Sequence, residues 1–203
     1  MSHSFCRVGI AIYCILQLIA FIFILAGTLI DQFRVQNVDV LSNSPCLTIW
    51  GFKDKCISLK WSVLTKDLWK GCPQRLKRFN AAEALSIAAV LISALACLIG
   101  FVMLCCCRCL RWLCLILNIL ATLCGCAVTA LMIDAFYNNH EEGLQQYNNS
   151  CYALRQNGSV IRPSAIVDGN PVATHYNYGA GFAIYIVGWG LCFINIFFLM
   201  LPC

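Results

Sequence analysis

Charged side chains are scarce in this chain. There are 14 Lys and Arg and 9 Asp and Glu among 203 residues, or 11%, against the ~25% of an ordinary soluble domain. With 61% of the residues apolar, a water-facing surface cannot be built from so few charges. A soluble globular domain is excluded, and lipid is the solvent that fits. Motifs for common chemistries are missing too. There is no GxSxG, no phosphate-binding GxxxxGK and no HExxH; His140-Glu141-Glu142 lacks a second histidine. No Cys or His pair in the polar loops has CxxC spacing, so no zinc site is expected. Nothing implies a cofactor, an enzyme or a nucleic-acid partner.

The charges that exist are segregated, with 13 of them in the stretch 31–78. Four other stretches, 8–30, 84–107, 112–133 and 179–201, contain no Asp, Glu, Lys or Arg. Each reaches the roughly 20 apolar residues a helix needs to cross a ~30 Å hydrocarbon core. Spans must be helices or closed barrels, because lipid offers backbone amides no partner. Barrel strands would alternate in polarity, and these runs do not. The first run is longer than the apolar core of a cleaved signal peptide and reads as an uncleaved anchor. The expected organisation is one four-span membrane domain over 1–203. It has long loops at 31–80 and 134–178, a short turn at 108–111 and a minimal tail.

Sidedness is argued from conflicting signs. The long loops carry eleven of the fourteen basic residues, which by the positive-inside rule would hold them in the cytosol. Three features oppose this. The loops hold four cysteines, Cys46, Cys56, Cys72 and Cys151. Both N-glycosylation sequons, at Asn148 and Asn157, lie in the second loop. The short turn carries Cys105, Cys106, Cys107 and Cys109 beside arginine, the pattern of cytosolic S-palmitoylation. The expectation is a plasma-membrane protein with both termini cytosolic and both long loops outside.

Within loop 1, Ile57, Leu59, Trp61 and Val63 alternate with polar residues, predicting a strand. Val38–Val40 and Leu47–Trp50 alternate more weakly. Together they predict a small antiparallel sheet, polar on one face. Leu64, Leu68 and Trp69 have helical spacing among lysines, with Gly71 and Pro73 as stop signals; the segment reads as a basic membrane-surface element or a solvated loop face. In loop 2, Asn157-Gly158 predicts a hairpin tip. Gln17, Asn118 and Asn195 lie inside spans and are expected to face neighbouring helices, as are the small residues Ala89, Ser93, Cys97, Ala121 and Gly125.

The most specific segment is Cys46-Leu47-Thr48-Ile49-Trp50-Gly51-Phe52-Lys53-Asp54-Lys55-Cys56. It resembles the signature of the amastins, surface glycoproteins of kinetoplastid parasites, at Cys46, Thr48, Trp50, Gly51, Lys53 and Cys56. Four spans with the signature in the first long loop match as well. Lys55 departs from the acidic or polar residue usual before the second cysteine. The resemblance implies a non-enzymatic cell-surface membrane glycoprotein that meets a host membrane or maintains the surface. A claudin-like architecture, with four helices and an extracellular β-sheet cap, is a more distant likeness. In claudins the Trp motif precedes both cysteines. Rival readings are a small transporter or channel subunit and a self-associating adhesion scaffold acting as a homo-oligomer. Four loop cysteines allow three pairings. The ten-residue spacing suits Cys46–Cys56 across a hairpin, which would leave Cys72 with Cys151.

Overall fold

A computed structural model describes residues 2–35, 43–58, 60–105, 110–138, 151, 153–155, 166–167, 170–171 and 176–200. Helix α1 (Ser2–Leu29) leads to strands β1 (Phe33–Val35), β2 (Cys46–Thr48), β3 (Gly51–Lys53) and β4 (Val63–Leu64), and to the one-turn helix α2 (Thr65–Leu68). Helices α3 (Pro73–Cys105) and α4 (Arg111–Tyr137) follow. Then come β5 (Ile166–Val167), β6 (Asn170–Pro171), β7 (Tyr176–Tyr178) and α5 (Ala180–Met200). Helices α1, α3, α4 and α5 are long and apolar enough to cross a membrane. The architecture is a four-helix membrane bundle with a small antiparallel sheet as its cap. Two compact units divide it. One comprises Met1–Gly27, Ala84–Ala127 and Ile184–Cys203; the other comprises Thr28–Glu83 and Val128–Ala183.

The first unit is inside-out relative to a soluble bundle. Its outward faces carry Ile15, Leu91, Leu98, Leu123 and Phe197, each more than half exposed. Patches of that kind belong against lipid. The inward faces carry small and polar residues at helical spacing. On α3 these are Ala89, Ser93 and Ala96; on α4, Cys114, Asn118 and Ala121; on α5, Tyr185, Cys192 and Asn195. With no hydrophobic drive between helices in lipid, close backbone approach and interhelical hydrogen bonds hold them together. A Cβ on Gly27 would lie 2.7 Å from that of Tyr185, and one on Gly125 would lie 2.5 Å from that of Trp189.

Helix α1 is the hub of the polar contacts. Gln17 donates to the Ser93 carbonyl of α3 (3.3 Å) and accepts from the Asn195 amide of α5 (2.8 Å). One turn earlier, the Tyr13 hydroxyl accepts from the Asn118 amide of α4 (3.1 Å). Gln17→Leu leaves the Asn195 amide without this acceptor. At about 0.6 kcal/mol per interhelical bond, the loss is about 1 kcal/mol, read as a fall of about 2–4 °C in detergent melting. A Gln17→Leu/Asn195→Leu cycle should return a coupling near that per-bond value.

In the second unit the main sheet has the order β4-β3-β2-β1-β7, all antiparallel. Its register sorts side chains into two cross-strand rows. Val63, Phe52, Leu47, Phe33 and Tyr178 lie opposite one another in turn. The next row is Lys53, Cys46, Arg34 and Asn177, on the other face. The apolar row meets helix-end aromatics: Phe33 stacks on Phe136 of α4 with ring centroids 6.0 Å apart, and Tyr178 stacks on Phe182 of α5 at 4.2 Å.

Three local expectations are corrected. Among the described residues of the alternating run at 57–63, only Val63 pairs, as the start of β4, and Ile57 is 71% exposed. The segment before β4 instead lies over the polar row, with the Trp61 indole donating to the Thr48 hydroxyl (3.2 Å). Its alternation does not follow burial, since Ile57 and Trp61 are both exposed. Second, Leu47–Trp50 is not one strand, because β2 ends at Thr48 and Ile49-Trp50 forms the turn into β3. Third, Pro73 opens a helix rather than stopping one. It occupies the first position of α3, where its missing N–H costs nothing, and the Leu76 amide closes the first turn on the Cys72 carbonyl (2.9 Å). Span 2 consequently begins eleven residues before the charge-free run at Ala84. Arg75, which follows the segment read as a basic membrane-surface element or a solvated loop face, is fully buried. The Asn157-Gly158 hairpin, Val38–Val40 and Leu59 lie outside the described residues.

Candidate functional site

The signature segment folds as a tight hairpin. Cys46 faces Lys53, Leu47 faces Phe52 and Thr48 faces Gly51, around the two-residue turn Ile49-Trp50. Each signature residue has a structural partner. The Trp50 indole N–H donates to the Thr28 carbonyl (2.8 Å) in the last turn of α1. That carbonyl is one of the four a helix C-terminus leaves unpaired, so the tryptophan caps the first span. Thr48 Oγ1 donates back to the Gly51 carbonyl across the turn (2.8 Å). Thr65, at the start of α2, closes on the same turn from the other side. Its hydroxyl donates to the Ile49 carbonyl (3.0 Å) and its amide to the Trp50 carbonyl (3.1 Å). Lys53 is nearly buried, with its ammonium 5.1 Å from the centroid of Trp61. Burial pushes its pKa down, while the nearby Asp31 charge pulls it back up.

Cys46 and Cys56 are joined by a disulfide with Cα atoms 5.4 Å apart, pinning the covering segment to β2. The Cys56 amide also donates to the Ser44 carbonyl, and the Ile57 amide to the Asn43 side chain. Gly51 has φ +150°, a conformation L-residues avoid, and a Cβ there would collide with the Val63 carbonyl. Gly51→Ala is expected to cost about 1–3 kcal/mol. It should prise β4 from β3, seen as faster hydrogen exchange at the Thr65 amide, which donates to the Trp50 carbonyl.

A second cluster lies at the base of the sheet. Asp31, fully buried two residues past α1, faces the Arg34 guanidinium at 3.1 Å and has the Ala180 amide beside it. Its carboxylate thus caps the positive N-terminus of α5 from outside that helix. Gly179 and Gly181 admit it, since a Cβ on either would collide with Asp31 atoms. Burial raises the Asp31 pKa; Arg34 and the amide work against that rise.

A third cluster ties loop 1 to loop 2. Cys72 is disulfide-bonded to Cys151, 79 residues later, with Cα atoms 5.6 Å apart. Beyond it, the Leu154 and Arg155 amides donate to the Ala135 and Phe136 carbonyls in the last turn of α4. Buried Arg75 lies over the Trp69 ring, with 5.0 Å from its guanidinium carbon to the ring centroid. Arg78 pairs with Asp134.

The loop cysteines and Thr48, Trp50, Gly51 and Lys53 therefore come together in one unit. Cys105 ends α3; Cys106, Cys107, Cys109, Asn148 and Asn157 lie outside the described residues. Sequence reading missed Asp31, Tyr13 and the capping role of Trp50. The signal available for Asp31 was an acid just past a span, matched by the Gly179-Ala180-Gly181 opening of another. Among the described residues, no cluster of three His, Cys, Asp or Glu side chains could hold a metal ion.

A family model described as Amastin surface glycoprotein matches residues 18–199. No curated protein and no solved structure matches the chain.

Proposed function

The chain belongs to the amastin family of surface glycoproteins, and from that premise we propose that it is a non-enzymatic membrane protein whose cap faces outward and meets an apposed host membrane or maintains the cell surface. That it is a multi-pass membrane protein of the surface follows from the family and the four apolar helices. The contact role is supported by how the signature residues are used. Trp50, Thr48, Gly51, Lys53 and the cysteines are all spent on holding the cap in one shape. A rigid, exposed scaffold is what a contact surface requires.

The test is adhesion. Cells carrying Trp50→Ala, which removes the bond to the Thr28 carbonyl, should keep the protein in the membrane but lose contact with host-cell membranes. Unchanged contact by cells lacking the protein altogether would overturn the reading. Self-association as a homo-oligomer belongs to the same proposal, with crosslinking on intact cells as its readout. Acylation at Cys105, Cys106, Cys107 and Cys109 is proposed for the inner face, with hydroxylamine-sensitive lipid labelling as its check. Glycans at Asn148 and Asn157 are proposed for the outer face.

A further inference from the structure

We infer that the β3–β4 loop and the turn after it form a docking surface for an anionic phospholipid bilayer apposed to the protein's own membrane. The inference rests on the contact role proposed above and names the surface and its ligand.

The observation is a set of exposed apolar side chains on the cap. Ile57 is 71% exposed, Leu64 55% and Trp61 38%, all in the cap and outside the spans. Lys55, Lys60 and Lys66 are exposed between and beside them. From residue 54 to residue 70 there are four exposed lysines, Lys70 included, against two exposed acids, Asp54 and Asp67. The loop is held firmly at its base. The Cys46–Cys56 disulfide anchors one side, and the Asp54 amide donates to the Ser62 hydroxyl across it (3.1 Å). Inside the loop the Ser58 amide bonds the Lys55 carbonyl (2.9 Å). The apolar groups are thus presented on a prearranged support, so little ordering is needed on contact.

Two features choose the occupant. Single apolar side chains set among lysines make no continuous patch of the kind a protein interface buries. They match the composition of surfaces that seat Ile, Leu and Trp at a headgroup boundary while lysines meet anionic lipid. Direction chooses the bilayer. The loop covers the sheet face of Lys53, Cys46 and Arg34, opposite the face that Phe33 and Tyr178 pack on the ends of α4 and α5. It therefore looks away from the helix ends, toward an apposing surface.

The experiment uses the full chain in phosphatidylcholine nanodiscs, mixed with vesicles of phosphatidylcholine alone or with phosphatidylserine. Co-flotation is expected with phosphatidylserine vesicles only, weakening as salt rises. At about fivefold per lysine, Lys55→Ala/Lys60→Ala/Lys66→Ala should weaken binding about 100-fold. Ile57→Ser should weaken it at unchanged net charge. All these positions are exposed, and unaltered migration on non-reducing gels will show that the disulfides persist. Equal binding by the variants, or no binding to phosphatidylserine vesicles, overturns the inference. If the wild-type chain supports contact with cells yet ignores lipid vesicles, a protein is the occupant and only this inference falls. Nanodiscs that cluster without vesicles identify a second copy as the occupant, with the same consequence. Loss of neither cell contact nor adhesion on deleting the chain removes the contact role itself.

Discussion

Cys72→Ser/Cys151→Ser is expected to be the most damaging change in the cap. Its disulfide closes a 79-residue loop, and by chain entropy alone that closure is worth about 4.5 kcal/mol. The 10-residue closure at Cys46–Cys56 is worth about 2.7 kcal/mol by the same reasoning. The longer bridge also holds the segment whose amides complete the last turn of α4, where Leu154 is fully buried and the Arg155 guanidinium lies 4.8 Å from the Tyr137 ring centroid. Without the bridge those amides must find the Ala135 and Phe136 carbonyls unaided. The double variant should melt about 10–15 °C lower in detergent. It should also be cut by protease in loop 2 before loop 1. Cys46→Ser/Cys56→Ser should show a smaller fall and the opposite order of cutting. Equal falls for the two variants would contradict this ranking.

Asp31→Ala is expected to come next. The change removes the carboxylate that faces both Arg34 and Lys53 and caps α5. Deleting one member of a buried charge cluster strands the others, at a cost of about 3–5 kcal/mol. Asp31→Asn keeps the polar shape beside α5 without the charge, and should be more stable than alanine at every pH. The two variants separate capping from charge.

The pH dependence follows from the direction of the Asp31 shift. Burial makes the folded cap hold this proton more tightly than the unfolded chain does. The contribution is therefore full below the unfolded carboxyl value, ~3.9, and declines as pH rises through the folded value. Across that window wild type should lose stability relative to Asp31→Asn, as read by melting at a series of pH values. A widening advantage for wild type as pH rises would reverse the assignment.

How much of this was legible in the sequence depends on the solvent each segment meets. The four spans were plain, because lipid tolerates so few charges that their absence over twenty residues is a strong signal. The pairing of loop 1 into a sheet was legible as a class, but its strands were misplaced. Alternation predicts a strand only when its apolar set is the buried side, and in this run Ile57 and Trp61 are exposed instead. Pro73 was misread because proline stops a helix only from inside; at the first position it starts one. Arg75 and Asp31 were invisible for a different reason. Their burial depends on Trp69, Arg34 and Ala180, partners that only the folded chain brings close. The signature was visible as a motif, but its purpose, an indole reaching the last turn of α1, needed the turn at Ile49-Trp50 to be placed.

The most direct test of an outward, disulfide-stapled cap is labelling of intact cells with a membrane-impermeant thiol reagent, before and after mild reduction, with modified cysteines identified by mass spectrometry. Cys46, Cys56, Cys72 and Cys151 should be unlabelled at first and labelled once reduced. Label on Cys46 or Cys151 in unreduced cells would contradict the staples, and label on the cysteines at 105–109 instead would turn the protein the other way round in the membrane.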